Sequence, residues 1–368
     1  MHTGGLDVNY TATPNLLLEA LAYLGARANG YTQSWMEGRL QMKGIQDLTP
    51  FYRRYAPIGS IIRELDELVS DTPEWLGRLF KDLEGFSFNT TGMYSPGYLL
   101  FFPFVGRYQD DLTLLVEQMT AQTPEEAARS IFISLGLDDG VACSTDRFME
   151  TVFSLTIPAE SRLALLETHH HYKTLIAETA EHLRPLIACL DAHRGQLQAL
   201  ADVFGQELEA VGCAAHLRQT TSLALQEDIH YDLRPFLFGS DSNLCLEPAI
   251  EPGRVTIHCG ILVRFLRQLF DEARGSGEQV FEAIRLLGDQ TRFEILCFLR
   301  DRPAYGSELS EHLGFARNTI HHHTSKLLSA GLITYTVEGN RICYSTNKER
   351  LSNLLAQQHH LLIGGQGW

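Results

Sequence analysis

Between Arg317 and Ser325 the chain sets Arg, Asn, Thr, two outward-spaced His residues and Ser on a stretch of helical periodicity. These side chains suit the edges of a nucleic acid. An Arg guanidinium matches the acceptor pair of guanine and an Asn amide the donor–acceptor pair of adenine. Hydroxyls and charged groups reach phosphates. On a helix at about 317–330, Arg317, Asn318, His321, His322 and Ser325 fall on one side. Ile320, Leu327 and Leu328 form an apolar stripe, with His323 and Thr324 at its margin. Lys326 on the same helix and Arg341 some way beyond add positive charge suited to a phosphate backbone.

No comparable set points to catalysis. The sequence contains no Gly-rich phosphate loop, Gly-x-Ser-x-Gly, His-Glu-x-x-His or Cys-x-x-Cys, so no catalytic residue and no cofactor is assigned. His169, His170 and His171 are consecutive and fan out around a helix, which is the pattern of a helix face and not of a ligand set. His171, His182 and His193 recur every eleven residues. That spacing separates neighbours by about 16 Å of helix rise, too far to share an ion held at about 2 Å. No metal ligand is assigned from either group. Aromatic residues from Tyr94 to Tyr108 and around Trp35 and Trp75 suit either core or an apolar ligand pocket.

Positioning the polar face of 317–330 needs particular elements. Ser307 is placed to cap a short helix whose Leu309 and Leu313 share a face, and Gly314 ends it. Gly331 closes the following helix. Ile333, Tyr335 and Val337 then alternate with Thr334 and Thr336, the period of a half-buried strand. Glu338-Gly339-Asn340 is a turn, and Arg341 to Thr346 returns as the partner strand. Two helices lead in, Glu278 to Gly288 and Thr291 to Arg302, the second stopped by Pro303. This order predicts a winged helix-turn-helix.

The segments LGDQTRFEILCFLRD (Leu287 to Asp301) and SELSEHLGFARNTIHHHTSKLLSAGLI (Ser307 to Ile333) resemble the ArsR-type family of bacterial winged-helix repressors. The resemblance covers roughly the last 90 residues. It implies a homodimer binding a two-fold site in double-stranded DNA, with Arg317, Asn318, Thr319, His321 and His322 facing the DNA. The family's metal sites do not transfer. Tyr305, Gly306 and Ser307 stand where many members carry a Cys-x-Cys pair, and the last helix, about Glu349 to Leu362, offers only adjacent His359 and His360. Thr324 replaces the family's usual apolar residue in the recognition helix.

The net charge of −15 argues at first against DNA, but its distribution does not. From Ser276 onward nine Lys/Arg balance nine Asp/Glu, so the negative excess belongs to residues 1–275. Between Gly314 and Lys348 four bases face one acid. An acidic body would keep DNA away from everything but the locally basic head.

The 368 residues suggest two domains: residues 1–275, and 276–368 after the small-residue run Ala273 to Gly277. The expected class is mainly α, with a large helical first domain containing a small β element. Residues 14–84 and Ala159 to Val211 carry helical patterns, the latter broken or kinked at Pro185. Asp71-Thr72-Pro73-Glu74 opens one helix. Gly85 to Val105 suggests an irregular connector or a strand, and Asp228 to Phe238, Ser242 to Leu246 and Arg254 to Cys259 have β character. Seven scattered Cys residues suit a reducing compartment. With no secretory leader pattern and no spanning run, a cytoplasmic protein without a membrane partner is expected. Sequence alone therefore points to a homodimeric, DNA-binding transcriptional regulator whose body sets the dimer or takes a small-molecule effector. The competing expectation is an enzyme or small-molecule-binding protein carrying the winged helix as an appendage.

Overall fold

Helix α1 (Leu16–Asn29) is the axis of the body. Every residue from Leu16 to Gly25 is buried, which explains why the segment, Glu19 apart, is apolar on all sides and not along one stripe. Asn15 caps it. Its Oδ1 accepts the Leu18 N–H at 3.1 Å while its Nδ2 donates to the Val105 carbonyl at 2.8 Å. Gly30, at φ 75°, ends it in the left-handed conformation that glycine adopts without strain. Helices α2 (Gln33–Met42) and α3 (Thr49–Leu68) follow, and a long helix, Tyr172–Ala192, packs against both α1 and α3. The computed structural model describes residues 6–69, 73–86, 93–138, 140–241, 245–247, 250–273 and 276–363.

A four-stranded sheet closes the body. Its strands are β1 (Asp7–Tyr10), β2 (His230–Phe236), β3 (Cys245–Leu246) and β4 (Arg254–Gly260), in the order β1-β2-β4-β3. The first three in that order run parallel, with Tyr10 beside Leu233 and Phe236 beside Gly260. The short β3 is antiparallel to β4. Parallel neighbours require a crossover, and the helices from Leu16 to Thr220 form the one between β1 and β2.

The fold is mainly helical with the winged helix-turn-helix at its C-terminal end, as expected. Local details differ. Strand β1 is an addition, because four residues opening the chain carry too short a pattern to be distinctive. Pro185 does not break its helix, which runs unbroken from Tyr172 to Ala192; the breaks fall at His171 and His193, both outside helical geometry. Of Gly85 to Val105, the part from Pro96 to Phe101 is α-helix and continues into a 3₁₀ turn; Ser95 and Pro96 supply the start and the first helical position. Of Ser242 to Leu246 only Cys245–Leu246 is strand among the described residues. Asp71 and Thr72 of the proposed helix opening, and Arg274 and Gly275 of the proposed boundary, lie outside the described residues. Helices Val263–Ala273 and Ser276–Leu287 flank that boundary. No helix among the described residues is long and apolar enough to cross a membrane.

Candidate nucleic-acid interface and its cover

The C-terminal head is built in the expected order: Ser276–Leu287, Gln290–Asp301, Gly306–Leu313, the second helix of the turn, Arg317–Ser329, then strands β6 (Ile333–Glu338) and β7 (Arg341–Thr346), with the short β5 (Ala304–Tyr305) paired to β7. Asp289 caps the second helix by accepting the Arg292 N–H at 2.9 Å. The third helix is capped by Tyr305 and not Ser307. Glu308 reaches back to accept the Tyr305 N–H at 2.9 Å, which moves the start two residues earlier and leaves Ser307 inside the helix. Gly314 takes φ 72° and ends it, as its position predicts. Leu309, Ile320 and Leu327 close the core of the turn. Thr324 is fully buried among them because its hydroxyl donates to the Ile320 carbonyl at 3.0 Å.

The residues read as DNA-facing divide into two sets. Thr319, His322 and Ser325 are partly exposed and Lys326 is exposed. Arg341, at the start of β7, lies with its guanidinium carbon 3.6 Å from the centre of the Tyr305 ring. This arrangement fixes the direction of a charge that remains within reach of solvent. Arg317, Asn318 and His321 instead face the body. The Arg317 guanidinium donates to the Leu137 carbonyl at 3.2 Å. Asn318 is 4% exposed; its amide donates to the Thr156 carbonyl at 2.8 Å and accepts the Thr156 N–H at 3.0 Å. That two-way bond to a backbone is what an Asn offers an adenine, so the body holds the residue by the chemistry a base would use. His321 lines a small crevice with Leu137, Asp138, Arg317 and Arg341. Gly136 stands at its edge with φ +67°, and a β-carbon there would begin 3.8 Å from the His321 Nε2. Burial, and secondarily the neighbouring His322, lower the His321 pKa to about 4. Burial also lowers those of His322 and His323.

A second line of contact runs along the wing. The body segment around Leu223 pairs with the outer edge of β6. The Tyr335 N–H donates to the Ser222 carbonyl at 3.0 Å, and the Tyr335 carbonyl accepts the Ala224 N–H at 2.7 Å. Ser222 Oγ donates to the Leu328 carbonyl at 2.8 Å. The body therefore covers an open strand edge and the N-terminal half of helix Arg317–Ser329 together. Sequence periodicity places Asn318 on a polar face, but Asn318 itself meets the Thr156 backbone and not solvent.

The other chemical candidates separate as well. His169 is buried, with its Nε2 2.9 Å from the Pro124 carbonyl, while His170 and His171 are exposed. His182 stacks on Trp75 at 3.7 Å. Among the described residues one cluster places three potential metal ligands together, Glu64, Cys189 and His193. His193 already pairs with Glu64 at 2.8 Å, and burial together with Glu64 pushes the Cys189 thiol up. Of the aromatic groups, Tyr98, Phe101, Phe102 and Phe104 are core, whereas Trp35 opens onto a cavity between α1, α2 and α3.

The head is that of a winged helix-turn-helix protein. The arsR-family description of bacterial regulatory proteins matches residues 289–335. Among curated relatives, the HTH-type transcriptional regulator CmtR of Mycobacterium tuberculosis is 36% identical over 73 residues, covering 20% of this chain and 62% of CmtR. The regulator KmtR of the same organism is 33% identical over 99 residues, 23% of this chain and 76% of KmtR. The arsenical resistance operon repressor of Staphylococcus aureus is 29% identical over 80 residues, 22% of this chain and 77% of the repressor. No solved structure matches the chain. By its C-terminal domain the chain belongs to the ArsR family of bacterial regulatory proteins, and the body is additional to what these relatives share with it.

Proposed function

We propose that this protein is a homodimeric, sequence-specific regulator of transcription, most simply a repressor, and not an enzyme, and that the conformation described above is its masked state. The observation that carries the reading is the winged head with Lys326 exposed and its base-reading residues held by the body. Its family membership and the names of its relatives as transcriptional regulators support the same conclusion. DNA and body compete for one face of the recognition helix. Operator binding then requires the head to leave segments 136–138 and 156, and a ligand of the body regulates by binding the two conformations differently.

Dimerisation is supported by an apolar surface on the head's two outer helices, Ser276–Leu287 and Lys348–Ile363, which pack together. Phe281 and Leu355 on them are 63% and 56% exposed, and Leu362 and Ile363 are more than 70% exposed. A Phe281→Glu, Leu355→Glu double variant is expected to sediment as a monomer at concentrations where the parent is a dimer. An unchanged sedimentation coefficient would remove this surface from the interface.

The direct test is selection of binding sequences from a random duplex pool, followed by fluorescence anisotropy on the selected site. Arg317→Ala is expected to lose about 1–3 kcal/mol of discrimination at one base position. Lys326→Ala is expected to weaken all duplexes alike and reduce the slope of log affinity against log salt by about one. If no sequence is enriched, the regulator reading fails.

A further inference from the structure

The cavity between α1, α2 and α3 has a volume of about 290 Å³. Its position is informative before its lining is considered. Phe238 to Asp241 follow the carboxyl end of β2, and Leu262 follows the carboxyl end of β4. The Leu262 N–H donates to the Ser240 carbonyl at 2.9 Å, which ties the two exits together. The cavity thus lies outside the carboxyl ends of the two central parallel strands, the place where open parallel sheets hold ligands.

The walls are aromatic. Tyr31 and Trp35 meet at 5.1 Å with their planes 59° apart, and Phe51 and Tyr55 stack at 5.2 Å and 26°. All four line the cavity. Of its lining charges, Arg27, Asp66 and Asp241 stand in ion pairs, while Arg63 is exposed, where solvent screens its charge. Arg27 lies 3.0 Å from Asp66, which also accepts the Tyr23 hydroxyl at 2.8 Å. Asp241 lies 3.5 Å from Arg39, whose guanidinium sits 5.4 Å from the Trp35 ring centre. A charged group lying between the aromatic walls would have to break one of these part-buried pairs and leave the other member uncompensated. A flat uncharged occupant would disturb neither, and would gain aromatic contact and hydrogen bonds from the surrounding hydroxyls. Ligand cavities begin at about 300 Å³, so the volume fits about two or three rings.

We propose that this cavity binds an uncharged, planar aromatic small molecule. Its role as the effector rests on the regulator reading; its occupancy does not. Two contacts connect the site spatially to the head. Arg39 of α2 also lies over Phe270, at 5.7 Å, and Arg54 of α3 lies over Phe265, at 4.8 Å. Both rings belong to Val263–Ala273, the helix that precedes the head. An occupant that shifts α2 against α3 displaces the support of the head.

The test is fluorescence titration of the full chain, without DNA, using N-phenyl-1-naphthylamine, an uncharged three-ring probe that brightens away from water. Its sulfonated analogue 1-anilinonaphthalene-8-sulfonate has the same rings with a negative charge. Saturable binding of the uncharged probe is expected, with energy transfer from tryptophan that Trp35→Phe reduces. Ala26→Phe fills the cavity from a partly exposed helix position and is expected to weaken binding at least tenfold with the circular dichroism spectrum unchanged. The sulfonated probe is expected to bind at least tenfold more weakly than the uncharged one. Absence of saturable binding, undiminished binding by Ala26→Phe, or equal binding of the sulfonated probe overturns the proposal. Operator affinity is measured separately, so a protein that binds the probe but no operator refutes the regulator reading and leaves the cavity assignment standing.

Discussion

Replacing Glu19 by Ala is expected to lower the unfolding free energy of the body by about 3–5 kcal/mol, read as a shift of its urea midpoint. Glu19 sits in the first turn of α1 with no exposed surface. Its carboxyl accepts the Leu237 N–H at 2.9 Å and the Phe238 N–H at 2.8 Å. Truncation leaves both backbone donors buried without an acceptor, at about 1–3 kcal/mol each, and adds a cavity. Because these donors begin the turn from β2 into Phe238 and Gly239, which line the aromatic cavity, the same change should also weaken probe binding.

The pH dependence has a definite sign. Desolvation raises the Glu19 pKa from 4.5 to about 8, against the pull of the Phe238 and Leu237 hydrogen bonds. Between those values the folded chain holds a proton that the unfolded chain releases. The contribution to stability is therefore complete below about pH 4.5 and is lost as the pH rises through 8. The melting temperature is expected to fall across this window. Glu19→Gln, which cannot ionise, is expected to flatten the fall while costing less than Ala, since one amide oxygen still accepts. A parent protein whose melting temperature is constant from pH 5 to 8 would contradict the assignment.

The difference between what periodicity reveals and what tertiary contact decides runs through the molecule. The head was legible because each element carries its own punctuation: Gly314 and Gly331 end helices, and Ile333 to Val337 alternate beside a Gly339 turn. Strands β2 and β4 were legible from their β-rich composition. The cavity was not, since Tyr31 and Trp35 come from the approach to α2 and from α2 itself, Phe51 and Tyr55 from α3, and Phe238 from a strand exit about two hundred residues away; only Trp35 had been noted as a pocket aromatic. The fate of Asn318 could not be read either. Its type and position suit an adenine and a backbone amide equally, and only the placement of Thr156 decides which it meets in this state. Glu19 was missed because a lone acid in an apolar helix has no sequence signal beyond its isolation.

On the proposed reading, the same docking is expected to make operator affinity depend on pH. An imidazole in water has a pKa near 6.5, and His321 against the body is held at about 4. The masked state thus binds fewer protons than the released one. Its advantage is intact above about pH 6.5 and shrinks as the pH falls toward 4. At pH 5.5 the loss is about 1.4 kcal/mol, roughly tenfold in favour of release. The other charged groups facing the crevice are Asp138, Arg317 and Arg341. Once the head is free, a protonated His321 also gains attraction to phosphate. Operator affinity at constant salt is therefore expected to rise at least tenfold between pH 7.5 and 5.5. His321→Gln, which keeps a hydrogen-bonding side chain but takes up no proton, should remove most of that rise. The comparison separates masking from plain phosphate attraction. Relief of a mask saturates at the population of the released state, so a body-side change that removes the Thr156 N–H, Thr156→Pro, should raise affinity at pH 7.5 and leave less for acid to add. If the parent shows the same affinity at both pH values, the masking account is wrong and the crevice is only a packing contact.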